Sequence, residues 1–124
     1  ETELRPGELI TGVTVPRSAS ARNSHYLKLR DRASFEFALV SVAVAVEVAN
    51  GSIGEIRLAA GGVGTRPWRL TEVEAALYGM NPSDALMRQA ASLAGEGARP
   101  ARQNGFKQTL LRGAVLRALQ TSVA

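Results

Sequence analysis

The chain has 124 residues, 45% of them hydrophobic and only 5% aromatic, with no cysteine and a formal charge of +4. That length holds one domain with one core, and the missing cysteines exclude disulfides, thiolate metal sites, protein-ligated iron–sulfur clusters and cysteine nucleophiles. The positive charge, mostly arginine and giving a pI near 10.3, is scattered apart from Lys28, Arg30 and Arg32, so a nucleic-acid partner would rest on pI alone; no run of about 18 apolar residues is present to span a membrane.

In chain order, Pro6-Gly7 reads as an opening turn. A short strand is expected over Leu9 to Val15, with Leu9, Thr11, Val13 and Val15 on one face and Ile10, Gly12 and Thr14 on the other; Pro16 ends it. Arg17 to Asn23 is small and polar, a loop. A second strand runs from about Ser24 to Arg30, with Leu27 and Leu29 pointing one way and Tyr26, Lys28 and Arg30 the other. Phe37 to Val48 carries Val40, Val42, Val44, Val46 and Val48 in strict alternation, a strand signature. Its opposite face holds Ser41, Ala43 and Ala45, small enough for a helix to lie close. Asn50-Gly51 is a hairpin turn, and Ile53 to Ala60 returns as a strand with Ile56 and Leu58 inward.

Gly61-Gly62-Val63-Gly64 releases the chain to a helical half. Thr71 and Glu74 have capping-box spacing, and Gly79 is placed to stop that helix. A second helix is expected from Ser83 to about Leu93, with Leu86, Ala90 and Leu93 on one stripe. Ala94 to Asn104, rich in Gly, Pro and Arg, reads as a loop. The last helix, Phe106 to about Leu119, has Phe106, Leu110 and Ala114 on one stripe, flanked by Leu111, Val115 and Ala118. Strands first and helices after predict an α+β domain with helices on one face of an antiparallel sheet.

No catalytic or metal-ligating set emerges. His25 is the only histidine, and on a strand between Ser24 and Tyr26 it reads as a partly buried strand residue. Glu47, Glu55, Glu72, Glu74 and Asp84 are spread over strand faces and helix turns without pairing. The glycine cluster follows a strand but lacks dinucleotide or Walker spacing, and Arg66-Pro67-Trp68 separates it from any helix, so it reads as a tight exit from the sheet. Trp68, beside Arg66 and Arg69 in the sequence, could stack a base, though covering a sheet end is the commoner role of a single tryptophan. The Tyr26/Lys28/Arg30 face stands apart. If the first two strands are neighbours, Ile10 projects beside Tyr26 and Lys28, an apolar contact with a fixed cation. That combination suits a flat ring and the phosphates of a flavin; a solvated charged face with one isolated isoleucine fits the same pattern.

Pro6-Gly7-Glu8-Leu9-Ile10, Val13 to Pro16, Tyr26 to Ser41, Gly61-Gly62-Val63, Pro67-Trp68-Arg69 and Asn104-Gly105-Phe106-Lys107 follow one another in a distinctive order. In that order the sequence resembles the C-terminal domain of the FAD-binding (medium) subunit of molybdenum hydroxylases. That family comprises xanthine dehydrogenases, aldehyde oxidoreductases and aerobic carbon monoxide dehydrogenases, and the likeness is greatest to bacterial enzymes with separate subunits. It covers nearly the whole chain. It implies, in agreement with the order of elements, an α+β sandwich of three or four antiparallel strands followed by three helices. It also implies that residues 1–124 are a single domain, a C-terminal piece of a larger FAD-binding subunit, in keeping with a start at Glu1 rather than Met. It further implies an oxidoreductase of purines or aldehydes in which this piece alone is inactive. Most FAD contacts would belong to a preceding FAD-binding domain, and molybdopterin and the iron–sulfur clusters to other subunits. By position, the resemblance makes Lys28 the lysine that approaches the flavin and Ile10 an apolar residue packed near it, with Tyr26 and Arg32 as further cofactor-binding candidates. Phe35-Glu36 stands where several relatives carry an acidic pair. Neither a nucleic-acid nor a membrane partner is implied. The cytoplasm is the expected compartment, with the periplasm open if the chain is exported with its partners.

Overall fold

The computed structural model describes residues 3–123. A 3₁₀ turn at Ser20–Asn23 leads into four strands, β1 (Ser24–Leu29), β2 (Val40–Ala49), β3 (Ser52–Gly61) and β4 (Trp68–Arg69), followed by helices α1 (Thr71–Leu77), α2 (Asp84–Ser92) and α3 (Phe106–Val123). The strands pair antiparallel in the order β1-β2-β3-β4. This meander, with helices covering one face, is the expected two-layer α+β arrangement.

The alternating valines drive the layering. Val40, Val42, Val44 and Val46 are at most 2% exposed, and Ile53, Ile56 and Leu58 of β3 join them on the same face. Leu70, Val73, Leu77, Ala90, Ala91, Leu111, Ala114, Val115, Ala118 and Leu119 complete the core from the helical side. Each fully buried aliphatic side chain contributes roughly 1.5–3 kcal/mol, so this one cluster carries most of the driving force for folding. The helices therefore lie on the valine face, opposite to the expectation that Ser41, Ala43 and Ala45 would receive them. Burying valine removes more apolar area from water than burying alanine, and that difference selects the covered face.

Ile53 and Ile56 are three residues apart, a spacing that puts residues of a regular strand on opposite faces. Glu47 pairs with Glu55 and Val48 with Ile53, so Gly54 is left as an extra residue. This bulge returns both isoleucines to the core. At the β2–β3 turn Asn50 (φ 52°) and Gly51 (φ 76°) both adopt the left-handed region, as a two-residue hairpin loop demands.

The strand expected over Leu9–Val15 is not formed. Residues 3–19 have no sheet pairing, and Leu9, Ile10, Val13 and Val15 are 83%, 65%, 84% and 80% exposed. Alternation prepares a strand, but a strand forms only when it pairs with a neighbour, and among the described residues this segment pairs with neither open edge of the sheet, β1 or β4. The strand expected from Phe37 begins at Val40, because Phe35 takes a left-handed backbone (φ 46°) and Leu39 N–H closes the loop onto the Leu29 carbonyl at 2.9 Å.

The capping box at α1 is likewise absent. Leu70 occupies the cap position without a side-chain bond, Thr71 Oγ1 donates to Glu72 at 3.2 Å, and Glu74 turns inward. At α2, Ser83 Oγ accepts from the Leu86 N–H at 3.2 Å, a regular N-cap. On α3 the buried stripe is Leu111, Ala114, Val115, Ala118 and Leu119, while Phe106 is 54% exposed.

Candidate functional site

The face of the sheet turned away from the helices is a platform of small residues, with Ala43 exposed, Ala45, Ala59 and Gly61 half-buried, and Ser41 buried. Strand pairing sets Lys28 beside Ser41 and Ser41 beside Gly61 in one row. In the next row Tyr26, Ala43, Ala59 and Arg69 follow one another across all four strands. A Cβ at Gly61 would meet Ser41 Oγ at 2.5 Å, so the absent side chain keeps this row low. Over the Tyr26 row lies a shallow depression of about 640 Å³, bounded by Tyr26, Ala43, Ala45, Ala59, Arg57 and Arg69.

Each candidate has a definite place on or near this platform. Tyr26 (60% exposed) and Lys28 project on the exposed side of β1, as alternation requires, while His25, Leu27 and Leu29 are half-buried. Lys28 and Arg32 together line a second depression, of about 530 Å³, with Arg30, Asp31 and Leu39. Arg32 also shapes its own loop: its backbone N–H donates to Glu36 Oε2 at 3.0 Å and its Nη2 to the Phe35 carbonyl at 2.6 Å. These bonds hold Phe35 and Phe37 outward, 97% and 95% exposed. Ile10 lies on no strand, so the register that would set it beside Tyr26 and Lys28 is not formed, and it lines neither depression.

Other polar residues here escape a sequence reading. Arg57 and Arg69 add cations at the far side of the platform. Arg57 pairs loosely with Glu55 at 3.7 Å. Arg69 is held by Glu74, Nε against Oε1 and Nη2 to Oε2 at 2.8 Å. Glu74 Oε1 also accepts the Leu58 N–H at 2.6 Å, so one buried carboxylate ties β3, β4 and α1 together. The hydrogen bond from Arg69 to Glu74, aided by the opposite charge and opposed by burial, raises the arginine above its ordinary pKa. The glycine cluster is a tight exit from the sheet, as expected. Gly62 has φ 73°, and a Cβ there would come within 2.8 Å of the Ala38 carbonyl oxygen. Trp68 is half-buried on β4, paired with Ala60.

Three kinds of likeness bear on this geometry. Residues 25–122 match the family described as the CO dehydrogenase flavoprotein C-terminal domain. The match begins at β1 and includes the whole sheet and all three helices. The chain is 47% identical over 77 residues to the aldehyde oxidoreductase FAD-binding subunit of Escherichia coli K12, covering 62% of this chain and 23% of that protein. It is 37% identical over 91 residues to the glyceraldehyde dehydrogenase medium chain of Sulfolobus acidocaldarius, covering 73% and 32%. The chain thus matches between about a quarter and a third of these relatives' length. The fold also superimposes on carbon monoxide dehydrogenase from Hydrogenophaga pseudoflava, in a form lacking the Mo-pyranopterin moiety of the molybdenum cofactor. The TM-score is 0.75 at 26% identity, over 83% of this chain and 38% of that one.

Proposed function

The chain belongs to the family of CO dehydrogenase flavoprotein C-terminal domains, and on that premise we propose that it closes one side of the FAD in the flavin-binding subunit of a molybdenum hydroxylase. The observation that carries this reading is the Tyr26/Lys28 pair above a platform of Ser41, Ala43, Ala59 and Gly61. An exposed ring over Ala43 and Ala59 and, one register step along, a cation without an ion pair among the described residues give a planar group an apolar contact and a fixed charge. The residues fit one wall of a flavin site and not its phosphate cradle. The glycine cluster leads into Arg66-Pro67-Trp68 and β4 rather than a helix, so the pyrophosphate would be held by a preceding domain.

Bound FAD would supply two-electron redox chemistry that can also proceed in single-electron steps. Against it, the Lys28 ammonium would offer fixed positive charge where negative charge accumulates on reduction. Tyr26 would contribute an apolar ring and a phenolic donor. Arg32 would act mainly on the loop, since one of its guanidinium nitrogens is committed to Phe35. The relatives' names favour an aldehyde over a purine as the substrate of the assembly. Substrate oxidation would take place at molybdopterin on another subunit, and electrons would reach the flavin through iron–sulfur clusters.

The test is Lys28→Ala in the full-length polypeptide. FAD content after gel filtration should fall, or the flavin reduction potential should become more negative. Wild-type values for both would remove Lys28 from the site. A second reading, a docking module without flavin contact, is favoured by the exposed Leu9, Val13, Phe35 and Phe37. Under it, paired Phe35→Ser and Phe37→Ser substitutions would release partner chains in gel filtration while Lys28→Ala left FAD content intact.

A further inference from the structure

On the opposite side of β4 from the flavin platform, the glycine turn, Trp68 and the loop entering α3 enclose a cavity of about 280 Å³. Its apolar walls are Val63, Trp68 and Leu111, and its charged groups are Arg99 and Lys107; no carboxylate lines it. Lys107 is fixed in place, its Nζ donating to the Gly62 carbonyl at 2.7 Å, which leaves two ammonium hydrogens free for a ligand. Arg99 is exposed and forms no ion pair among the described residues. The cavity has the makings of a small-molecule site, concave and mostly apolar with a few convergent polar groups. Here the charged groups are all of one sign. With no carboxylate in the lining to neutralise them, Lys107 and Arg99 are free to form charge-assisted bonds to an anion, and such bonds are the strong ones.

We propose that this cavity binds a small organic anion, with a flat apolar body against Trp68 and a carboxylate or phosphate between Lys107 and Arg99. The site is independent of the flavin reading, since Tyr26 and Lys28 line other depressions. The experiment is calorimetric titration of the full-length polypeptide with benzoate, benzamide and inorganic phosphate. Wild type is compared with Lys107→Gln and Arg99→Gln. Benzoate should bind at least about tenfold tighter than neutral benzamide, and Lys107→Gln should remove about that factor, the worth of a charge-assisted bond. Benzoate binding without phosphate binding assigns a carboxylate ligand with a required flat body. Phosphate binding that weakens in the same variants assigns a phosphate. Arg99 makes no contact the fold depends on, so Arg99→Gln stays folded and should weaken the anion even if Lys107→Gln destabilises the turn. Equal affinity for benzoate and benzamide, no binding of any probe, or affinities unchanged in Arg99→Gln overturns the proposal.

Discussion

The two faces of one sheet have been put to opposite uses. The inner face carries Val40, Val42, Val44 and Val46, at most 2% exposed, under the helical layer, with α3 against β2 and α1 against β3. The outer face of the same β2 carries Ser41, Ala43 and Ala45, with Ala43 open to solvent. Large β-branched residues make the inner face expensive to expose; small residues make the outer face cheap to leave bare and easy to approach. If the outer face is the flavin wall proposed above, stability and recognition are separated by a single residue step along the strand. A substitution should register strongly in one measurement and weakly in the other.

The largest effect on stability is expected from Leu58→Ala, at the centre of the inner face and 0% exposed. Leaving a cavity there should cost about 3 kcal/mol in urea unfolding, and FAD loss should track the unfolded fraction only. Gly62→Ala comes next, at roughly 2 kcal/mol, because an L-residue is strained at φ 73° and its Cβ would press on the Ala38 and Leu39 backbone. A loss under about 0.5 kcal/mol would show that the turn relaxes freely.

Glu74→Ala should cost about 2 kcal/mol, the price of stranding the buried Leu58 N–H. Arg69 adds little to that figure, since its side chain is 48% exposed and water can take it over. Glu74→Gln keeps an acceptor for Leu58 and should recover about half of the loss; equal losses in the two variants would move the weight to the arginine. At the small end, Lys28→Ala should shift stability by less than about 0.5 kcal/mol while changing FAD retention or potential. A clear drop in stability instead would break the division of labour between the faces.

Much of this was legible in the chain. The valine alternation, the Asn50-Gly51 turn and the start of a helix at Ser83 rest on contacts within a few residues, so local rules suffice. The shared face of Tyr26 and Lys28 followed from the same period of two. What local rules miss depends on distant partners. Gly54 becomes a bulge only because β2 fixes the register of β3. Glu74 has the spacing of a capping box, yet it bonds Leu58, sixteen residues earlier in the chain. Ile10 has the pattern of a strand residue, but no described edge pairs with its segment.

By itself, then, the sequence determined β1, the β2–β3 hairpin, the three helices in their order, and which side chains share a face, because these depend on backbone geometry and nearest neighbours. Tertiary structure alone decided which face of the sheet the helices cover, where Glu74 spends its charge, and that Arg57 and Arg69 join Tyr26 around one platform. Those outcomes turn on how much apolar area each packing removes from water, and on which buried donors are left to satisfy. Both are properties of the assembled fold.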